Sequence, residues 1–116
     1  MNTEKIAKEL QKFARDRDWD QFHTPKNLAT SISVESAELL ELFQWTRGQK
    51  DWNEIKDVEI KEKIENEVAD ILLYLIRFSD LANIDLEEVA LRKIKLNAKK
   101  YPIEKSKGSD KKYNEK

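Results

Sequence analysis

VEIKEKIENEVADILLYLIRFSDL, residues 58–81, decides the fold. Its apolar residues recur at helical spacing, which predicts a helix from about Val58 to Leu81. At 100° per residue, Ile60, Ile64, Ile71, Tyr74 and Phe78 line up as one stripe, and Glu67 and Asp70 are set against it. An ionised carboxylate in an apolar seam is costly unless something cancels its charge. Val68, Leu72, Leu73, Leu75 and Ile76 lie off that stripe, so this helix is apolar nearly all round and one intramolecular face cannot bury it. A subunit interface is the expected use of the surplus.

Working outward, the same arrangement occurs earlier in the chain. Glu35 sits inside a stripe formed by Leu28, Ile32, Leu39 and Leu42, with Glu38 at its edge. Residues three apart on a helix are neighbours on one face, so each acidic pair can aim two carboxylates at one point. The second helix is expected to start at Thr24 as cap with Pro25 in the first helical position, and to run to Trp45 or Arg47 before Gly48 ends it. On that reading Glu35 lies roughly 18 Å before the end of its helix and Glu67 roughly 15 Å after the start of the next. If the two helices fold back antiparallel, all four acids arrive at nearly the same height.

Two more helices complete an all-α, four-helix reading. One spans about Thr3 to Asp16, with Ile6, Leu10 and Phe13 on its buried face; the other starts at the capping-box pair Asp85 and Glu88 and stops before Pro102. Only two glycines and two prolines occur, and 39% of the residues are charged, as expected of helices with solvated outer faces. Residues 1–103 are read as one helical domain, and residues 104–116 as a polar, disordered tail.

Composition excludes several classes of function. Lys and Arg total 22 against 23 Asp and Glu, so no global basic field draws the chain to nucleic acid or an anionic membrane. Cysteine is absent, which removes disulfides, thiolate zinc sites and cysteine nucleophiles, and suits a cytoplasmic location. The start MNTEKIAKEL lacks the layout of a secretory signal, and the longest apolar run, Ile71 to Ile76, is too short to cross a bilayer. A di-iron bundle of the ferritin type uses two Glu-x-x-His motifs; the chain has one histidine, His23.

A lone Glu-x-x-Glu is usually a solvated helix face. Two such pairs, both within apolar stripes and with matching geometry, favour a metal site made of Glu35, Glu38, Glu67 and Asp70. Ligation by oxygen alone selects a hard cation, Mg²⁺ with Mn²⁺ as a substitute, which keeps positions open for water and phosphate oxygens. Glu41 continues the three-residue spacing but rotates outward, so a solvated charge and a ligand or water-orienting base are equal readings. Trp19, Phe22 and His23 just ahead of the metal helix are core or structural residues on the simplest view, and Lys93, Asn97, Lys100 and Tyr101 are ordinary surface if each is taken singly.

Together, FHTPKNLATSISVESAELLELFQW (22–45), ENEVADILLYLIRFSDLANIDL (65–86) and KIKLNAKKYP (93–102) make a pattern that resembles the MazG-like nucleoside triphosphate pyrophosphohydrolases, nearest the dCTP pyrophosphatase branch. The resemblance covers nearly everything from Thr3 to Pro102. It implies a Mg²⁺ enzyme that cleaves a nucleoside triphosphate between the α and β phosphates, with dCTP or a modified dCTP as a candidate, in nucleotide pool control or house-cleaning. It also implies a homodimer or homotetramer. Carried over by position, Glu35, Glu38, Glu67 and Asp70 match the metal-binding acids. Trp19, His23, Asn27, Tyr74 and Asn97 match the nucleotide pocket, with Lys93 and Tyr101 near the phosphates. One difference is visible: between the first two acids, where small residues are often found, this chain has Ser36 and Ala37, a mild change that says nothing about base preference. For the attacking water, Glu38 is the preferred base and Glu41 the reserve. The rivals are another nucleotide, such as dUTP, an oxidised or methylated nucleotide or phosphoribosyl-ATP, and a non-enzymatic helical interaction module.

Overall fold

In the computed structural model, residues 1–48 and 52–110 are described; helices and turns account for their regular structure, with no strand among them. Each long helix starts where a polar side chain can take up orphan N–H groups. Helix α1, Thr3–Asp16, is capped by Asn2, whose Oδ1 accepts from Lys5 N–H at 3.0 Å. Helix α2, Pro25–Glu41, is capped by Thr24, whose Oγ1 accepts from Asn27 N–H at 3.1 Å. Helix α3, Val58–Leu81, is capped by Asp57, which accepts from Glu59 and Ile60 N–H at 3.0 and 3.3 Å. Losing this double cap in Asp57→Ala should cost about 1 kcal/mol. Urea unfolding tests it: a midpoint unchanged from the parent would show that α3 is held by packing alone.

Residues 1–83 form one compact unit. Among its described residues, the three buried apolar ones come one from each helix: Ala14 of α1, Leu28 of α2 and Ile76 of α3. Helix α2 packs chiefly on α3, and the two run antiparallel: Pro25 and Leu28 lie by Phe78, Leu81 and Ala82, whereas Glu35 and Glu38 meet Glu67 farther along. A side-chain bond from Gln11 Nε2 to Asp80 Oδ2, 2.7 Å, ties α1 to α3.

Helix α2 ends earlier than its pattern suggests. The α-helix stops at Glu41, short of Trp45 and Arg47, and the chain continues in tighter turns, with Phe43, Gln44 and Thr46 N–H donating to carbonyls three residues back. Trp45 is 89% exposed. Leu42 and Phe43 stay half-buried, but Trp45, in the last predicted turn, projects into solvent, and helix ends with little tertiary support tighten this way. Gly48 takes a left-handed φ of +68°, so the expected turn residue does its work beyond a looser approach. Residues 49–51 lie outside the described residues.

Residues 84–116 form the second unit. Its helix α4, Leu86–Lys100, is capped by Asp85, which accepts from Glu88 N–H at 3.0 Å. A single turn, α5, follows at Ile103–Ser106 behind Pro102. Of the stretch read as a polar tail, 111–116 lies outside the described residues. No helix among the described residues is long and apolar enough to cross a membrane.

Candidate metal centre and adjoining cleft

Three carboxylates meet between α2 and α3. One oxygen each from Glu35, Glu38 and Glu67 lies within 4.8 Å of the others. Glu35 Oε2 and Glu67 Oε2 are buried without a hydrogen-bond partner. No ion pair reaches Glu35, Glu38, Glu67 or Asp70 among the described residues. Buried polar atoms are paired in the great majority of cases, so two orphaned acid oxygens facing a third carboxylate are a strong anomaly. The Glu35 carboxyl is pushed up to about 7 from an ordinary 4.5. The chief cause is the Glu67 carboxylate, close enough to share its proton; burial and Glu38 add to it, and the charge of Asp70 acts in the same direction.

A hard divalent cation fits this donor set. All the donors are carboxylate oxygens, the ligand type such ions prefer, and a positive charge there would satisfy both orphaned atoms while removing the repulsion that raises Glu35. Ser36, between the first two acids, turns its hydroxyl back to Ile32 O at 2.8 Å and stays out of the cluster. Glu41 is the last residue of α2, exposed and not one of the three converging acids.

Asp70 lies three residues beyond Glu67, on the side where a cleft of about 250 Å³ opens. Leu10, Phe13, Trp19, His23, Leu73, Tyr74 and Arg77 form the rest of its lining. Thus Trp19, His23 and Tyr74 share one hollow with an acid of the proposed metal set. The rings of Phe13 and Trp19 meet edge to face at 5.6 Å between centroids, which leaves flat apolar walls suited to a planar ring. Phe22 is exposed and outside the lining. Asn27 is also outside it: its amide donates to Phe22 O at 2.9 Å and so pins the turn Asp20–Phe22 to the start of α2. Lys93, Asn97 and Tyr101 belong to the second unit. They follow one another at intervals of four, Lys93 and Asn97 on α4 and Tyr101 just past its end; Lys93 borders a shallow groove with Leu86, Val89 and Leu96, and Tyr101 N–H donates to Asn97 O at 2.9 Å.

One residue that sequence reasoning passed over completes the cleft. Arg77, 5% exposed, donates from Nε to His23 Nδ1 at 3.0 Å and pairs with Asp20 Oδ1 at 2.7 Å. The signal was present in the sequence as the one cation in the otherwise apolar run ILLYLIRF, seven residues after Asp70 and three after Tyr74, hence on their face. Burial, and then the neighbouring Arg77 charge, hold the His23 pKa below its ordinary value, with Asp20 opposing them.

The MazG-like family model matches residues 30–115. The chain is 37% identical over 101 residues to dCTP pyrophosphatase 1 of Bos taurus, an alignment that covers 87% of this chain and 60% of that protein. It is 36% identical over 107 residues to dCTP pyrophosphatase 1 of Homo sapiens, covering 89% and 61%. The chain therefore spans about three fifths of the length of these curated relatives. Among solved structures, a pyrophosphatase from Archaeoglobus fulgidus superposes with a TM-score of 0.80 at 43% identity, over 88% of this chain and 94% of that one.

Proposed function

The chain belongs to the MazG-like family, and from that premise we propose that it is a Mg²⁺-dependent nucleoside triphosphate pyrophosphohydrolase, which cleaves between the α and β phosphates to release a nucleoside monophosphate and pyrophosphate. dCTP or a modified dCTP is the leading substrate. The observation that carries this reading is the pair of buried, unpartnered oxygens on Glu35 and Glu67, beside Glu38 and next to a ring-walled cleft.

Glu35, Glu38, Glu67 and Asp70 would hold the cation, which, when bound, supplies positive charge to phosphate oxygens as negative charge builds on the departing pyrophosphate. The chain's own residues then have three tasks. The four acids place the triphosphate beside α2 and α3. Phe13, Trp19 and Tyr74 take the base out of water and set its plane. Glu38 accepts the proton of the water that attacks the α-phosphorus, with Glu41 as the alternative base. Lys93, Asn97 and Tyr101 are proposed to contact the phosphates and nucleotide. Exposed Val34, Leu40, Val68 and Leu75 on α2 and α3 suit a homodimer or homotetramer, and pool control or house-cleaning in the cytoplasm is the matching role.

The test is pyrophosphate release from a panel containing dCTP, 5-methyl-dCTP, dUTP, dATP and an oxidised nucleotide, with MgCl₂, with MnCl₂ and with EDTA. Release from a cytosine nucleotide that EDTA abolishes is expected. No release from any member would favour an interaction module. Glu38→Gln should fold normally and lose about 10²-fold in kcat, the usual worth of a positioned base; full turnover in that variant, with Glu41→Gln impaired instead, would transfer the role to Glu41.

A further inference from the structure

The contact between Arg77 and His23 bears on what the cleft can recognise. A guanidinium offers donors only and does not lose its proton in proteins. Its Nε–H donates to His23 Nδ1 at 3.0 Å, so that nitrogen must present a lone pair. A neutral imidazole has one donor nitrogen and one acceptor nitrogen, and with Nδ1 as acceptor the hydrogen resides on Nε2. The remaining Arg77 contact, to Asp20 Oδ1 at 2.7 Å, fixes the guanidinium plane from the same turn that carries the histidine. A charged His23 would set two cations nitrogen to nitrogen, in agreement with the lowered His23 pKa.

We propose that Arg77 is a positioning residue that locks His23 as the neutral Nε2–H tautomer, so that the cleft recognises its ligand through a fixed N–H donor reading an acceptor on a flat, stacked ring, a carbonyl oxygen or an unprotonated ring nitrogen. With Nδ1 occupied, Nε2 is the only polar atom the ring has left for a ligand. The other walls are mostly apolar: Leu10, Phe13 and Leu73 carry no side-chain donor. The charged groups facing the histidine are Arg77 and Asp20 by direct contact or charge, and Asp70 across the cleft. His23 thus serves in recognition and not as a proton carrier. This inference rests on the nucleotide reading for the identity of the ring, whereas the tautomer lock does not depend on it.

Because His23 is the only histidine, a ¹⁵N-labelled full chain yields a single imidazole, and long-range ¹H–¹⁵N spectra assign its tautomer directly. The parent should show protonated Nε2 and unprotonated Nδ1 at pH 7, with a titration midpoint below that of a free histidine. Arg77→Leu, which removes the buried cation and leaves Asp20, itself largely exposed, to be hydrated by water, should yield a mixture of tautomers and a higher midpoint. Arg77→Gln, which keeps an N–H donor, should restore the Nε2–H form. With dCTP as probe, Arg77→Leu should raise KM about tenfold, the worth of one well-made hydrogen bond, and lower kcat far less; Arg77→Gln should recover most of the KM. An Nδ1–H or cationic ring in the parent would overturn the lock, whether or not any nucleotide is cleaved, and the parent spectrum decides this even if Arg77→Leu fails to fold. A shifted tautomer with an unchanged KM would overturn the recognition role alone.

Discussion

Glu67→Gln is expected to lower turnover by about 10²–10³-fold, the usual cost of removing one group aimed at developing charge, while making the metal-free protein more stable. Both effects have one origin. Glu67 supplies an orphaned buried oxygen, and its carboxylate is the main reason that Glu35 holds its proton so tightly. An amide in its place removes one negative charge from the cluster and can donate an N–H to Glu35. The gain should be about 1 kcal/mol, a few degrees in Tm for a chain of this size. Thermal melts in EDTA, paired with pyrophosphate release in MgCl₂, measure the two halves. A variant that melts lower without metal, or that keeps full turnover, would show that Glu67 is an ordinary structural acid.

The second large effect concerns pH. Glu35 has a folded-state pKa of about 7 against an ordinary 4.5, so between those values the native state binds more protons than the unfolded chain. Stability then falls as pH rises. The contribution is fully present below the unfolded value and is lost as pH climbs through about 7, so metal-free protein should melt at a lower temperature at pH 8 than at pH 5.5. A cation competes with that proton and needs the deprotonated acid. A fixed excess of Mg²⁺ should therefore raise Tm much more at pH 8 than at pH 5.5, the stabilisation reaching about 2.7 kcal/mol where free Mg²⁺ is about 100 times its Kd, and its binding should release protons around neutral pH. A metal-free Tm that rises across this range, or a Mg²⁺ increment that does not depend on pH, would count against the cluster as a metal centre.

Much of this site could be read from residue spacing because its determinants are local. Thr24 with Pro25, and Asp85 with Glu88, are short-range devices, and both helices begin where those residues place them. The two acidic pairs are likewise set by an interval of three, and Glu35, Glu38 and Glu67 do converge. What spacing could not reveal depended on the third dimension. The end of α2 depends on whether Trp45 finds something to pack on, and it does not. Arg77 draws no notice in the sequence because its partners, His23 and Asp20, are 54 and 57 residues away in the chain. Asn27, expected at the pocket, spends its amide on the turn that carries the pocket residues, a role that depends on where Phe22 O points.

The make-up of the acid cluster and its cleft has a further consequence, in how they withstand oxidants. Carboxylates bind at the centre, rings and aliphatic chains line the hollow, and the chain's one methionine is residue 1. The sulfur chemistry by which peroxide disables thiol and thioether sites has no foothold here. A protein furnished this way offers peroxide no thiol or thioether to convert among its working groups.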